Sequence, residues 1–306
     1  MRSSSLFAGA FLVGSLLVAC GPAGRGDDTG GGDDSSGNDS GMGGGGGGDC
    51  SEAAKLIYVV DENNTLAKFD PTTKQFTTIG TLNCPATPTI DPIFGIETPA
   101  TPFSMGIDRE ANAWVLYNSS EVFKVSTTNA SCTATNFQAP SGLSLFGMGF
   151  STDASGGSQD TLYIAGSDDP GNEGSSSSNK LAKLDTGTMS TTMLGTVTGS
   201  PELTGTGSAE LWGFFPGTTG ARIEKLNKTS GAAMETHQLA NLSGQPVAWA
   251  FAFWGGDFWA FLAKGTETST TVYHYDATGA LKDMTSASGR LIVGAGVSTC
   301  APVVIL

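Results

Sequence analysis

Basic residues, histidines and long apolar runs are scarce in this sequence of 306 residues. Lysine and arginine number 15 against 29 acidic residues, so the chain lacks the basic surface that nucleic-acid binding requires. No G-x-S-x-G, Walker or Rossmann pattern occurs, which leaves the common catalytic and nucleotide-binding motifs without support. Glycine, by contrast, is abundant with 44 residues, and this composition suits short strands and many turns.

The first 50 residues differ in composition from the rest of the chain. Arg2 precedes an apolar run from Leu6 to Val18, which is too short for a permanent membrane-spanning helix and is typical of an export signal. Residues 21–50 hold 14 of the glycines and six aspartates, with no aromatic or β-branched aliphatic residue to bury. We therefore expect a disordered tether at 20–49, roughly 30 Å in root-mean-square length, followed by one domain at 50–306.

The residues Leu17-Val18-Ala19-Cys20 stand between the apolar run and the tether. They resemble the lipobox of bacterial lipoproteins, in which the cysteine after the cleaved signal peptide carries the lipid. The resemblance implies a signal peptide at 1–19, acyl chains such as palmitate on Cys20 and, because Gly21 follows, delivery to the outer membrane. Several acyl chains on one residue give the stable anchoring that a single chain does not. The alternative is an ordinary secretory signal with an unrelated cysteine.

The number and spacing of the remaining cysteines favour disulfides. An even number of cysteines in an exported chain is typical of disulfide pairing. Zinc is the competing interpretation, but the sequence has no C-x-x-C or C-x-x-H spacing and only two histidines, His237 and His274. The four cysteines are Cys50, Cys84, Cys132 and Cys300.

An aromatic residue recurs about every 50 residues inside short strand-like runs. The five aromatics are Tyr58, Trp114, Tyr163, Trp212 and Trp259. After each one comes a run of alternating apolar and polar residues, then a polar turn and a threonine-rich strand. A period near 50 residues with about four strands indicates propeller blades. The sequence therefore predicts an all-β fold, a β-propeller of five four-stranded blades, with the aromatics packed between the blades.

Glycine-rich runs before the second to fifth aromatics are predicted to form the inner strands around a central channel. These runs are 104–108, 146–150, 203–207 and 249–253. The missing run occurs at 291–297, so we expect the C-terminal strand to complete the first blade and close the ring. Closure places Cys300 beside Cys50 and predicts a disulfide between them. Cys84 and Cys132 then pair by elimination.

Two long irregular segments, Asn83–Phe103 and Gly166–Asn179, are predicted on the face opposite the entry of the tether. Because loops of this length often carry function, we interpret that face as the candidate binding face. The acidic segment 168–173 could bind Ca²⁺, although it matches no EF-hand spacing and a solvated acidic loop is the alternative. The first segment has a rigid, proline-bounded insert as its alternative. The candidate binding residues are Asp91, Phe94, Glu97, Asp168, Asp169 and Glu173.

The lipobox and the blades together resemble propeller-domain lipoproteins of bacterial outer membranes. This resemblance implies a cell-envelope module that contacts the membrane through its lipid anchor and binds an unknown protein or glycan, with no cofactor. Two alternatives stay open, a structural envelope protein and a propeller hydrolase of glycosidase or metal-dependent lactonase type. A glycosidase needs two carboxyl groups about 5 to 10 Å apart, whereas the predicted inner strands offer only Asp108. The sequence therefore favours binding over catalysis and predicts no catalytic residue.

Overall fold

The computed structural model describes residues 50–91, 94–169, 178–239, 241–285 and 288–304. Apart from one short 3-10 helix, Glu52–Lys55, the regular structure of these residues is β-strand. In chain order the strands are β1 (Ile57–Asp61), β2 (Thr65–Asp70), β3 (Gln75–Thr81), β4 (Thr89–Ile90), β5 (Glu97–Thr98), β6 (Pro102–Ile107), β7 (Asn112–Tyr117), β8 (Val122–Ser126), β9 (Cys132–Ala134), β10 (Leu145–Thr152), β11 (Asp160–Ser167), β12 (Ser178–Leu184), β13 (Thr191–Thr198), β14 (Glu202–Gly205), β15 (Leu211–Phe215), β16 (Ala221–Leu226), β17 (Ala233–Leu239), β18 (Pro246–Trp254), β19 (Asp257–Lys264), β20 (Thr271–Tyr275), β21 (Leu281–Thr285) and β22 (Ile292–Gly296).

Five antiparallel sheets of four strands form the blades of a β-propeller. From inner to outer strand, blade 1 is β22-β1-β2-β3, and blades 2 to 5 are β6-β7-β8-β9, β10-β11-β12-β13, β14-β15-β16-β17 and β18-β19-β20-β21. The inner strands β22, β6, β10, β14 and β18 contact one another in this order around the ring. The two remaining strands, β4 and β5, form a separate hairpin. The predicted fold of five four-stranded blades is confirmed.

In every blade the recurring aromatic residue of the second strand lies opposite a basic residue of the third strand. The pairs are Tyr58 and Lys68, Trp114 and Lys124, Tyr163 and Lys183, Trp212 and Lys225, and Trp259 and His274. The Lys124 Nζ lies 5.2 Å from the ring centroid of Trp114, and the His274 ring stacks on Trp259 with 3.9 Å between centroids. The lysine contact covers an aromatic face and leaves the ammonium group near the surface, whereas the His274 ring is buried. All five aromatics are buried, as predicted.

A residue with a short polar side chain caps the turn after the third strand of every blade. In blade 3, Asp185 Oδ1 accepts hydrogen bonds from the backbone N–H groups of Gly187 at 2.9 Å and Thr188 at 2.8 Å. The hydrogen bond from Thr188, followed by that from Gly187, holds the pKa of Asp185 below its ordinary value. These Asx-type turns satisfy backbone donors that the tight turn leaves open. The capping residues are Asp70, Ser126, Asp185, Asn227 and Asp276.

Glycine allows the inner strands to pack backbone against backbone. A Cβ atom at Gly147 would overlap the carbonyl oxygen of Pro201, and one at Gly149 would lie 2.8 Å from the carbonyl carbon of Leu203. Neither position has room for a side chain, because the neighbouring inner strand lies directly against it. The predicted role of the glycine-rich runs is confirmed.

The C-terminal strand closes the ring. β22 pairs with β1 in antiparallel register, with Tyr58 opposite Gly296 and Val59 opposite Ala295. The disulfide between Cys50 and Cys300 ties the chain beyond both strands, with 5.8 Å between the Cα atoms. A second disulfide joins Cys84, after β3, to Cys132 at the start of β9 and so links blade 1 to blade 2. Both predicted disulfides and the predicted closure are confirmed.

Candidate functional site

The two ends of the ring carry different features. We call one the closure end, because it holds the disulfide between Cys50 and Cys300 and the turns from inner to second strands. The other is the loop end, where the inner strands begin and where the turns between second and third strands lie.

The residues after β22 cover the closure end. The Gly255 N–H in blade 5 donates a hydrogen bond to the carbonyl of Pro302 at 2.7 Å. The Thr299 hydroxyl donates to Asp160 Oδ2 in blade 3 at 2.6 Å, and the disulfide at Cys300 ties the same segment to the start of blade 1. Since these partners belong to three different blades, the C-terminal segment crosses this end of the ring.

A polar cavity of about 520 Å³ lies between blades 2 and 3 at the closure end. Its Asp160 carboxylate is held by Arg109 Nε at 2.9 Å and by the Thr299 hydroxyl. Arg109 also donates to the carbonyl of Gly157 at 2.7 Å. The buried charges of this cavity are therefore used to join blades and the C-terminal segment, which indicates a structural role.

At the loop end a cavity of about 250 Å³ lies at the mouth of the ring axis, and we call it the axial pocket. Four of the five inner strands, or the residues beside them, contribute to its lining, which is a geometry common among ligand sites. The lining combines aromatic and aliphatic side chains with two acids, Glu62 and Glu202. The lining residues are Glu62, Thr101, Pro102, Phe103, Asn118, Glu202, Val247, Ala248, Trp249, Leu291 and Val293.

Glu202, the first residue of β14, is the buried acid of the axial pocket and is only 2% exposed. Its Oε2 atom accepts a hydrogen bond from the Ser104 hydroxyl at 2.9 Å, and Ser104 Oγ accepts one from the Met148 N–H at 3.2 Å. Burial raises the pKa of Glu202 well above its ordinary value, and the hydrogen bond from Ser104 opposes this only in part. The Met148 N–H is a second donor beside this carboxyl, and like Ser104 it opposes the effect of burial on the pKa. Burial therefore favours the neutral acid.

Sequence analysis missed Glu202, because the predicted inner strand of blade 4 began one residue later, at Leu203. The prediction that Asp108 is the only carboxylate of the inner strands was wrong for this reason. An acid directly before a glycine-rich inner strand is the signal that would have found it. Asp108 itself follows β6 toward the closure end, where it accepts hydrogen bonds from Trp114 Nε1 at 3.0 Å and from the Asn112 N–H at 2.7 Å. Its role is structural.

The segment predicted as a candidate binding loop at 83–103 contains the β4–β5 hairpin. Phe94 stands at its tip and is 74% exposed, while Asp91 Oδ1 accepts a hydrogen bond from the Phe94 N–H at 2.8 Å. Glu97 lies on β5 and is also exposed. None of these three residues lines the axial pocket, but Thr101 and Pro102 at the end of the same segment do.

The acidic segment predicted at 168–173 is described only up to Asp169. Asp168 accepts hydrogen bonds from the backbone N–H groups of Gly142 at 2.9 Å and Ser144 at 3.0 Å, one on each carboxylate oxygen. Hydrogen bonding with Ser144 is the main cause that lowers the pKa of Asp168. Asp168 thus fastens the neighbouring loop, and Asp169 is exposed. Glu173 lies outside the described residues, and Ca²⁺ binding by this segment stays a prediction.

No group of three or more His, Cys, Asp or Glu side chains is placed to hold a metal ion within the described ranges. The ring of His274 joins three strands of blade 5 instead. Its Nε2 lies 2.7 Å from Asp257 Oδ2 and its Nδ1 lies 3.3 Å from Asp283 Oδ2. Both ring nitrogens lie beside carboxylates of the same blade, which indicates a structural role for His274.

The predicted signal peptide, the lipid attachment residue Cys20 and the tether lie outside the described residues and stay predictions. In the part of the chain that the structure describes, no helix combines the length and the apolar character that a bilayer crossing needs.

Comparisons with known proteins give similar folds but no family. No family model matches the chain, and no curated protein matches it. Three solved structures that resemble it are a protein of unknown function from Bacteroides caccae (11% identity, TM-score 0.42, covering 79% of this chain and 97% of that one), TolB from Acinetobacter baumannii (11%, 0.42, 80% and 67%) and the calcium-binding protein regucalcin from Agrobacterium tumefaciens (10%, 0.39, 81% and 75%). At these identities and TM-scores the similarities assign no function to this chain.

Proposed function

We propose that this chain is a lipid-anchored binding module of the bacterial cell envelope, held in the outer membrane through Cys20, with its ligand site at the axial pocket. The one observation that carries the ligand site is the buried carboxyl of Glu202 within a cavity that four inner strands share. A carboxyl group at the inner wall of an otherwise largely apolar pocket can fix the orientation of a ligand through a hydrogen bond or an ion pair.

The position of Cys50 bears on how the pocket is presented. Cys50 lies at the closure end, and the predicted tether joins the domain there. The loop end, with the axial pocket and the exposed tip at Phe94, would then face away from the membrane to which Cys20 is attached. This arrangement leaves the pocket open to a glycan, a small molecule or a segment of a partner protein in the surrounding compartment.

A hydrolase is the second candidate function, because two carboxyl groups line the same pocket in different environments. Glu202 is buried, whereas Glu62 is exposed at the rim. Glycoside hydrolysis uses one carboxyl group as a proton donor and a second one as a nucleophile or base, and contrasting environments assign these roles. We rank this function below binding, because Glu62 is exposed at the rim and Glu202 is the one carboxyl group at the inner wall of the pocket within the described ranges.

The pocket is tested with the acylated full chain in detergent micelles. Small saccharides, amino acids and amines are screened for a rise in the unfolding temperature of the wild-type chain and of the Trp249→Ala and Met234→Ala variants. Met234 lies exposed on the outer strand β17 and serves as the matched control. A compound that stabilises the wild type and Met234→Ala but not Trp249→Ala supports the pocket, and turnover of a screened glycoside would favour the hydrolase. Equal stabilisation of all three chains by every active compound would refute the assignment of the ligand site to the axial pocket.

The anchor is tested separately in cells. We expect labelled palmitate to enter the wild-type chain but not a Cys20→Ser variant, and a Gly21→Asp variant to remain in the inner membrane. Incorporation of palmitate into Cys20→Ser would contradict the lipobox interpretation.

A further inference from the structure

We propose that the axial pocket binds a small organic ammonium ion, whose cationic head pairs with the Glu202 carboxylate and whose apolar body packs against Phe103 and Trp249. This inference rests on the proposed function of the pocket and adds the chemical class of the ligand.

The charge of the pocket selects cations. Glu62 and Glu202 line it, and no lysine, arginine or histidine is among the described lining residues. The whole chain carries a formal net charge of −14, which adds a negative potential of the same sign. An anionic ligand would meet repulsion from Glu62 at the rim, and its charge would oppose ionisation of Glu202 at the inner wall, whereas a cation gains from both acids.

The apolar lining suits the body of an organic cation rather than a bare metal ion. Phe103 and Trp249 are half-buried at the pocket, and Val247 beside them is 46% exposed. Aromatic faces attract ammonium groups through their quadrupole, most strongly where water is excluded. A cavity of about 250 Å³ is at the small end for ligand sites and fits a head group with a short carbon chain.

Glu202 supplies the charge that the ammonium group needs. Its Oε2 accepts a hydrogen bond from Ser104, and the carboxyl lines the pocket, so an N–H donor of the ligand can approach it there. Burial favours the neutral acid, as its raised pKa indicates. Binding of the cation therefore ionises Glu202: the O–H bond breaks, the proton passes to solvent, and the carboxylate pairs with the ammonium head.

No other charged group lies beside Glu202 among the described residues, so Glu202 itself must pair with the ammonium head at the inner wall. The groups that face it are the Ser104 hydroxyl on β6, the Met148 backbone N–H on β10, Phe214 opposite it on β15 and Trp249 on β18. Glu62 is the one other titratable residue among the described residues that line the pocket. Because the cation pairs with the ionised form of Glu202, its affinity rises with pH while the neutral acid is populated in the free protein.

The test compares n-butylammonium with its neutral isostere butan-1-ol by titration calorimetry on the full chain in micelles. We expect butylammonium to bind at least tenfold more tightly than butan-1-ol at pH 8, with an affinity that rises with pH by at most tenfold per unit. Heats measured at one pH in phosphate and in Tris should differ, because the released protons are taken up by buffers with different ionisation heats. Equal affinity for the alcohol, or no proton release, overturns the inference.

Two variants locate the effect. Glu202→Gln keeps the shape of the side chain but cannot ionise, so preference for butylammonium over butan-1-ol should disappear together with proton release. Glu235→Gln removes an exposed charge from the outer strand β17 and should change neither. If Glu235→Gln weakens binding as much as Glu202→Gln, the overall charge explains the affinity and the inference fails. Binding of a neutral saccharide that needs Trp249 but releases no proton would overturn the ligand class and leave the proposed function standing. Absence of binding by every screened compound would remove both.

Discussion

Removal of the closing disulfide measures how strongly the ring depends on joining the two ends of the chain. The Cys50–Cys300 bond closes a loop of 250 residues, whereas Cys84–Cys132 closes one of 48 residues. In the chain-entropy model these bonds stabilise the folded state by about 5.5 and about 4 kcal/mol, so their removal should differ by about 1.5 kcal/mol. The comparison is useful because both bonds belong to the same protein and the logarithm of the loop length sets the difference.

The assay is urea unfolding of two double variants, Cys50→Ser with Cys300→Ser and Cys84→Ser with Cys132→Ser. Both are made in a Cys20→Ser background, so that no free thiol can exchange with the remaining disulfide. Fluorescence of the five tryptophans and far-UV circular dichroism report the transition. Coincident curves from the two probes would justify a two-state free energy, and similar m-values would show that the same surface unfolds.

We expect the variant without the closing bond to fold, because the hydrogen bonds between β1 and β22 remain, and to lose more stability than the other variant. The order of the two losses is the decisive result. A larger loss for the Cys84 and Cys132 variant, or a loss below about 1 kcal/mol for the closing bond, would refute the view that closure acts through the entropy of the unfolded chain.

Three further perturbations test the packing and the titrating groups. Gly147→Ala, whose new Cβ would overlap the Pro201 carbonyl, should lower the free energy of unfolding by about 3 kcal/mol or more. Gly187→Ala, in an exposed turn, should change it by no more than about 1 kcal/mol. Equal urea midpoints for the two variants would contradict the close packing of the inner strands. Asp276 has its pKa lowered mainly by the Thr278 hydroxyl, so its contribution is present above the unfolded pKa of about 4 and is lost as the pH falls through the folded pKa. Asp276→Asn keeps the acceptor oxygen, and its unfolding free energy should fall less steeply in acid than that of the wild type; parallel curves would be inconsistent with this cause. Glu202 has a raised pKa, so its contribution is complete below the unfolded pKa and declines as the pH rises toward the folded pKa. Glu202→Gln should therefore gain stability relative to the wild type between pH 5 and pH 8, and an unchanged difference across that range would argue against burial as the cause.

The blade architecture could be predicted because its determinants repeat along the chain. The aromatic residue of the second strand, exemplified by Trp114, and the basic residue opposite it, exemplified by Lys124, occur once per blade at nearly constant spacing. The glycine-rich inner strands follow the same period, since every inner strand meets its neighbours under the same crowding. The run missing before Tyr58 and present at the C-terminus was sufficient to predict both the closure and the pairing of Cys50 with Cys300.

The axial pocket could not be predicted, because its lining residues are adjacent only in the folded ring. Phe103, Glu202 and Trp249 come from three different blades, and no local pattern distinguishes them from their neighbours. Glu202 also has no counterpart at the same position of the other blades, and a search for recurring residues does not detect a residue that occurs only once. The hairpin pairing of Thr89 with Thr98 was missed for a related reason, because the prolines around it favour an irregular segment over strands.

The place of β22 in the chain has a consequence for assembly. β22 follows all nineteen other blade strands, so β1 has an unpaired inner edge until the last strand is made and docked. An exposed edge accepts any strand of suitable pattern, and the best match in a concentrated solution is β22 from another copy. Refolding of the reduced chain at high protein concentration, where the Cys50–Cys300 bond no longer ties β22 to its own β1, should therefore produce strand-exchanged dimers. Because β1 and β22 are distant in the chain, we also expect completion of blade 1 to be a slow step.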